Sequence, residues 1–269
     1  MIELEPGAFI GETESAASAG AIFSHVSHKL SRTILEHTHQ WPYVSILLRG
    51  VYEERVEQQK IVFQPMTMVF HGPRLSHQDT IGTGGADFFL IEFGESWWPT
   101  IARSGVSPKH AYEVRGEGAS WAALRLYNDF QMRALSEEAT EEALYSLCAH
   151  LPRAMLVENS EPAWLRSVDD YLSEHFRERY SLREVAQRLS VDPAHLARTY
   201  HRFRERTIGD AVNRLRAQEA YRRITGTGNT LEIIARECGF ADQSHMTRSV
   251  RDLSGTTPAA LRRRLPPRK

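Results

Sequence analysis

The chain has 269 residues, 41% of them hydrophobic, and a formal net charge of −1. That length accommodates more than one core, so two domains are expected. Cys148 and Cys238 are too few and too far apart for a disulfide framework or a zinc module. No stretch reaches the roughly 18 apolar residues of a membrane helix, which excludes a helical membrane protein. The opening MIELEPGAFIGETES lacks the basic-then-apolar pattern of a signal peptide. A cytoplasmic protein with no membrane partner is therefore expected. The near-zero charge hides an asymmetry. Residues 161–269 carry 21 Lys+Arg against 14 Asp+Glu, and residues 1–160 carry 12 against 20. Only the C-terminal end suits a polyanion.

In chain order, residues 20–95 read as short strands. Ile46–Leu48, Ile61–Phe63, Met66–Phe70 and Phe88–Phe93 are apolar runs rich in β-branched and aromatic residues. Turn signals separate them at Arg49-Gly50, Gln64-Pro65, Gly72-Pro73 and Gly82-Thr83-Gly84-Gly85. Many short strands without intervening helices predict a sandwich or small barrel. Within this region His37 and His39 alternate onto one strand face, and Pro73-x-x-x-His77 follows.

From 119 to 156 the period becomes helical. Trp121, Leu124, Tyr127 and Phe130 form one stripe, Leu144, Leu147, Cys148 and Leu151 another, with a break near Ser136. These stripes suit either a dimer interface or packing back on the barrel. The polar stretch Glu158–Pro162 reads as a linker. Beyond it the pattern is helical, and arginine nearly replaces lysine.

The C-terminal half contains a near-repeat. Val185-Ala186-x-x-Leu189-Ser190-Val191 is matched by Ile234-Ala235-x-x-Cys238-Gly239-Phe240, and Leu196-Ala197-Arg198 by Met246-Thr247-Arg248. Each copy predicts a helix, a tight turn and a second helix. Ser181-x-x-Glu184 is a capping box, Asp192-Pro193 a cap before a first-position proline, and Thr207-x-x-Asp210 opens a long helix to about Ile224. That helix would span about 25 Å and hold two reading units in successive major grooves, about 34 Å apart. Arg202, Arg204, Arg206, Arg251 and Arg262-Arg263-Arg264 suit phosphate contacts.

Together these segments, with Ala241-Asp242-Gln243-Ser244-His245 and Gly255-Thr256-Thr257-Pro258, resemble the AraC/XylS family of transcription regulators over about Trp164–Arg264. The resemblance implies seven helices and two helix-turn-helix units joined by a long central helix. It carries base-reading positions to Ala194, Ala197 and Arg198 in the first unit, beside His195 and Arg202. In the second they are Gln243, Ser244 and Arg248, with Arg251 nearby. This chain departs from the pattern at Glu205, where a glycine is usual, and at Val250, where an aromatic is usual. The N-terminal region resembles the cupin-like barrel that many such regulators carry.

The expected fold class is thus α+β in two domains: a cupin-like β-barrel with following helices, then an all-α domain with two helix-turn-helix motifs. Expected boundaries are 1–118 for the sensor, 119–157 for a helical dimerisation segment and 160–266 for the DNA-binding domain, with units at about 181–204 and 230–253. The expected function is a ligand-responsive DNA-binding regulator, an activator by family tendency. Its partners would be an operator duplex, RNA polymerase by analogy, an unidentified small effector and a second copy of the chain. His37, His39, Tyr43 and His77 are candidate effector contacts. The three histidines are also metal-ligand candidates, but the acid that metal-binding cupins place just after the first histidine pair is missing, Tyr43 and Val44 standing there instead. No cofactor and no catalytic residue are expected. The alternative is a cupin-type metal-dependent enzyme, or a metal or redox sensor, carrying a DNA-binding domain.

Overall fold

The computed structural model describes residues 2–56, 59–107, 109–114, 117–151 and 162–267. The N-terminal part is a strand-rich half-barrel and the C-terminal part is helical, as expected. The strands are β1 (Ile2–Leu4), β2 (Glu12–Ser18), β3 (Ala21–His28), β4 (Arg32–His39), β5 (Tyr43–Val56), β6 (Gln59–Phe63), β7 (Met68–His71), β8 (His77–Phe93) and β9 (Ala111–Glu113). They form one sheet ordered β1-β4-β8-β5-β7-β9, with β3 also on β8, β2 on β3 and β6 on β5. β8 is the spine. Its first part pairs with β4 and the end of β5, its second with β3 and the start of β5.

Two expected turns are absent. Arg49-Gly50 and Gly82–Gly85 lie inside β5 and β8, which run on through them. The ladder shifts register between Leu47 and Arg49 and between Gly50 and Tyr52. Gly50 has φ 104, and a Cβ there would meet the Gly85 carbonyl oxygen at 2.2 Å. These glycines allow two long strands to bend and approach closely at a bulge, which composition alone does not distinguish from a turn. The signals at Gln64-Pro65 and Gly72-Pro73 do mark strand breaks, with left-handed Met66 and Arg74 beside them.

Helices α2 (Glu117–Gln131) and α3 (Glu137–Ala149) follow the short α1 (Trp98–Ala102), with the break at the N-cap Ser136. Their apolar stripes, from Trp121 to Leu151, are buried in the same core as Phe23, Val44, Phe70 and Phe89 of the barrel. These stripes pack within the chain, the second of the two arrangements they suit. The linker expected at Glu158–Pro162 lies, Pro162 apart, outside the described residues.

The C-terminal helices are α4 (Ala163–His175), α5 (Leu182–Arg188), α6 (Pro193–Arg204), α7 (Ile208–Gly226), α8 (Leu231–Glu237), α9 (Gln243–Ser254) and α10 (Pro258–Arg264), the seven that the resemblance implies. Ser181 with Glu184 and Thr207 with Asp210 form complete capping boxes, and Asp192 and Asp242 accept from His195 and His245 backbone amides. α7 has 19 residues, about 28 Å of rod. Its first half supplies Ile208, Ala211 and Val212 to a small core with α4, α5 and α6. Its second half supplies Ala217, Ala220, Tyr221 and Ile224 to the large core shared by α8–α10, α2 and the barrel.

Candidate functional site

Two places gather chemistry. The first is the barrel interior. His37 on β4 sits directly opposite His77 on β8, and Glu54 on β5 opposite Asp79 on β8. Strand alternation puts His39 and Asp79 on the same faces as His37 and His77. A register shift between Ile34 and His37 bends β4 where it delivers its histidines. All three imidazoles are buried, and their rings lie 4.3–5.5 Å apart. Ligand atoms of His37, His39 and His77 all fall within 4.8 Å of one another, as do those of Glu54, His77 and Asp79.

The local bonds define how these groups face. His37 Nδ1 and His77 Nδ1 lie 3.0 and 3.1 Å from the carbonyls of Leu35 and Leu75, two residues back on their own strands. A ring N–H donated there leaves each Nε2 lone pair inside the barrel. Tyr43 Oη is 3.2 Å from His77 Nε2, and Tyr52 donates to Asp79 at 2.7 Å. Asp79 stands 3.7 Å from His37 Nε2 and 4.0 Å from His77 Nε2. Behind them His71 Nε2 contacts both Glu54 oxygens at 2.8 and 2.9 Å. The buried Nδ1 of His39 has no hydrogen-bond partner among the described residues.

Burial favours the uncharged forms here. It holds His39, with help from His77, His37 and His71, at about 2. It lowers His71 to about 3 and raises Glu54 to about 7. Burial likewise lowers His77 and raises Asp79. The cavity lined by His37, His39, Tyr43, His77 and Asp79 has a volume of about 50 Å³, whereas small-molecule pockets run to ~300–1,000 Å³. The three imidazoles at this spacing suit a transition-metal ion, and Asp79 stands beside two of them, His37 and His77. His37, His39, Tyr43 and His77 come together in the barrel interior. The sequence reading missed Asp79, although its place two residues after His77 on one strand was a usable signal. Glu54 reaches the same interior from β5, opposite Asp79.

The second place is the pair of helices α6 and α9. Ala194, His195, Arg198 and Arg202 are exposed on α6, with Ala197 half-buried, and Gln243, Ser244, Arg248 and Arg251 are exposed on α9. Beneath them Leu196 and Met246 are fully buried, as are Ala186 and Ala235 on the preceding helices. Several arginines assigned to phosphate are instead engaged within the chain. Arg204 pairs with Asp169 at 2.6 Å. Arg206 donates to the Arg204 carbonyl, Arg262 to Ile224 and Asn229 carbonyls, and Arg264 to Asn128. Their charges are spent on helix ends and interdomain contacts, a competition invisible in a list of basic residues. Glu205, the departure from the glycine pattern, adopts φ 54, and its amide bonds the His201 carbonyl as Gly255 does to Arg251 in the second unit. The helix end keeps its form despite the side chain.

A family model described as a helix-turn-helix domain matches residues 185–264. Over 131 residues the chain is 30% identical to the HTH-type transcriptional activator RhaS of Escherichia fergusonii, covering 48% of this chain and 47% of that protein. Residues 185–264 form an AraC-type helix-turn-helix domain. The chain is also 24% identical over 93 residues to the uncharacterized HTH-type transcriptional regulator YisR of Bacillus subtilis, covering 35% of this chain and 32% of that protein. The matches thus span a third to a half of these relatives. Among solved structures, ToxT from Vibrio cholerae O395 aligns with 92% of this chain and 98% of its own at 10% identity and a TM-score of 0.39, too loose a superposition to bear on function. An AraC-type domain implies DNA binding. Among the described residues no helix is long and apolar enough to cross a membrane.

Proposed function

We propose that the chain is a sequence-specific DNA-binding transcription regulator whose half-barrel senses a ligand. The observation that carries this is the paired presentation of Arg198 and Arg248. Each is exposed on the second helix of its unit and has no hydrogen-bond or ion-pair partner among the described residues. A free guanidinium can donate twice to a guanine edge in a major groove. In this reading Ala194, His195, Ala197, Gln243 and Ser244 face bases, and Arg202 and Arg251 face phosphates. Residues 1–118 sense, 119–157 connect, and 160–266 read the operator. Strand β5 is a route between the two functions. It carries Tyr43, Tyr52 and Glu54 toward the barrel interior, and the backbone carbonyl of its Leu48 accepts from Tyr221 of α7 at 3.2 Å. A ligand that shifts β5 would bias the second reading unit, which is a coupling between two sites.

A homodimer, RNA polymerase contact and an activating role belong to this proposal by family resemblance, as does a cytoplasmic location. The dimer would have to use surfaces other than the buried stripes of α2 and α3. A non-enzymatic role accords with the matched relatives. A metal-dependent enzyme would need room for substrate beside an ion, and a volume near 50 Å³ offers little.

The test is selection of duplexes from a random pool by the full chain, followed by variants on the enriched site. Arg198→Ala should cost about 1–3 kcal/mol and relax preference at one operator position. Arg251→Ala should weaken all sequences alike and flatten the salt dependence. A pool that shows no enrichment over rounds would refute the function, and an Arg198→Ala loss equal on every sequence would refute the base-reading role.

A further inference from the structure

We propose that Asp169 of α4 is a positioning residue that sets the rotation of α6, and through it the base preference of the first unit. The role rests on the DNA-binding reading above. Asp169 lies outside both helix-turn-helix units, yet its side chain holds α6 at two points about one turn apart. Tyr200 Oη donates to Oδ1 at 3.0 Å, and Arg204 donates to Oδ2 from Nε at 2.9 Å and from Nη2 at 2.6 Å. Two side chains at i and i+4 share one face of a helix, and here both end on the same carboxylate. Arg204 suits a phosphate by sequence, but its charge works inside the domain.

The footing of α6 makes such a hold consequential. Leu196 and Tyr200 are its buried residues, whereas α9 buries Met246, Ser249, Val250 and Ser254. Apolar contact is non-directional, so a narrow apolar footing leaves a helix able to roll about its axis. Hydrogen bonds are directional, and those to a charged acceptor are the stronger kind. An exposed ion pair by itself fixes little. Here the same carboxylate also takes the hydroxyl of Tyr200, whose ring is buried. Leu196, Tyr200 and Arg204 recur every four residues on the inner face, and Arg198 and Arg202 are exposed on the other. A roll of about 20° at an outer radius of about 6 Å moves a side chain by about 2 Å. That displacement breaks a bidentate contact to a base, whose bonds must stay within about 2.7–3.2 Å. The second unit is set differently, by its wider burial and by an uncharged bond from Ser249 Oγ to Asn213 Oδ1 of α7 at 2.9 Å. The effect of Asp169 therefore belongs to the first unit.

The test compares full-length wild type, Asp169→Asn and Tyr200→Phe by selection from random duplexes, then by Kd on single-base variants of the enriched site. Arg198→Ala and Arg248→Ala mark which base position belongs to which unit. Asp169→Asn is nearly isosteric. It should lower discrimination at the Arg198 position by about tenfold and leave the Arg248 position unchanged. Tyr200→Phe keeps the buried ring and should lower it by about threefold. Asp169→Asn should add nothing at that position when combined with Arg198→Ala, and should add independently to Arg248→Ala. A merely structural role would scale affinity for every sequence alike. Amide exchange without DNA separates the hold from the reading: it should rise in α6 of Asp169→Asn and stay unchanged in α8 and α9. Unchanged exchange in α6 would overturn the hold even where the pool enriches. Wild-type chain without enrichment would overturn the DNA-binding reading and this role with it. Equal losses at both positions, or wild-type discrimination in both variants, would overturn the positioning role. Tyr200→Phe decides the same question if Asp169→Asn does not fold.

Discussion

The two helix-turn-helix units began as near-copies in sequence and are held in different ways. The first, α5 and α6, closes a core of its own with α4 and the start of α7: Leu165, Val168, Leu172, Val185, Leu196 and Tyr200. The second, α8 and α9, has no separate core. Its Ile234, Cys238, Phe240 and Met246 are continuous with Trp121 of α2 and with the barrel. Polar ties reinforce that union. Arg125 of α2 donates to the Leu253 carbonyl at the end of α9 at 3.0 Å, and also to that of Asp252. Arg49 of β5 pairs with Asp87 and reaches the carbonyl of Pro266 beyond α10. The lesson is that a repeat fixes local geometry but not attachment. One unit is mounted on the half-barrel, and the other is joined to it through the α7 rod.

The turns give the largest test of that difference. Ser190 and Gly239 occupy equivalent left-handed positions, at φ 54 and φ 80. A Cβ on Gly239 would meet the Arg177 carbonyl oxygen at 2.4 Å. Gly239→Ala should therefore cost about 3–4 kcal/mol, combining the left-handed penalty with overpacking. Ser190→Ala should be close to neutral. Urea unfolding of both variants checks this, and equal losses would break the asymmetry.

Next in size is the tie to the barrel. Hydrogen bonds from His25 and Arg49 hold Asp87 at about 2 against the effect of burial, which acts to raise it. Arg49→Ala leaves that carboxylate short of its main cation and should cost about 3 kcal/mol. Amide exchange should rise across α8–α10 while α4–α6 keep their protection. Equal loss in both units would mean that they share one cooperative core after all.

The barrel also differs from the first unit in carrying buried titratable groups. Burial raises Glu92 to about 7 from about 4.5, although Gly7 N–H donates to it at 2.7 Å. The folded chain thus keeps a proton that the unfolded chain has lost. The stability this contributes is full below about pH 4.5 and is lost as the pH rises through about 7. Glu92→Gln keeps an acceptor for Gly7 and should gain roughly 2 kcal/mol over wild type at about pH 8, with no gain near about pH 4. Parallel pH profiles for the two proteins would contradict the buried-acid account. The smallest effect belongs to the first unit. Glu205 carries a left-handed φ that Gly255 adopts freely, so Glu205→Gly should stabilise by about 1 kcal/mol. A lowered Tm would show that the side chain makes up that strain elsewhere.

Much of this was legible beforehand. Capping residues Ser181, Asp192 and Thr207 act through bonds within three residues, so their sequence spacing already states the geometry. His37 and His39 were placed on one face by alternation alone. The bulges at Gly50 and Gly85 read as turns, because glycine signals permission for an unusual backbone and not which one is used. Asp79 was overlooked because its partners, His37 and Glu54, come from other strands.

By itself the sequence determined the helices, their caps, the repeat and the exposed arginines on α6 and α9, all set by propensity and periodicity over a few residues. Only the tertiary structure decided which arginines were already committed, as Arg204, Arg262 and Arg264 are, and that Asp79 comes beside His37 and His77. It also decided that the second helix-turn-helix unit shares the barrel's core. Those outcomes depend on contacts between residues tens to hundreds of positions apart, where strand register and helix docking choose the partners.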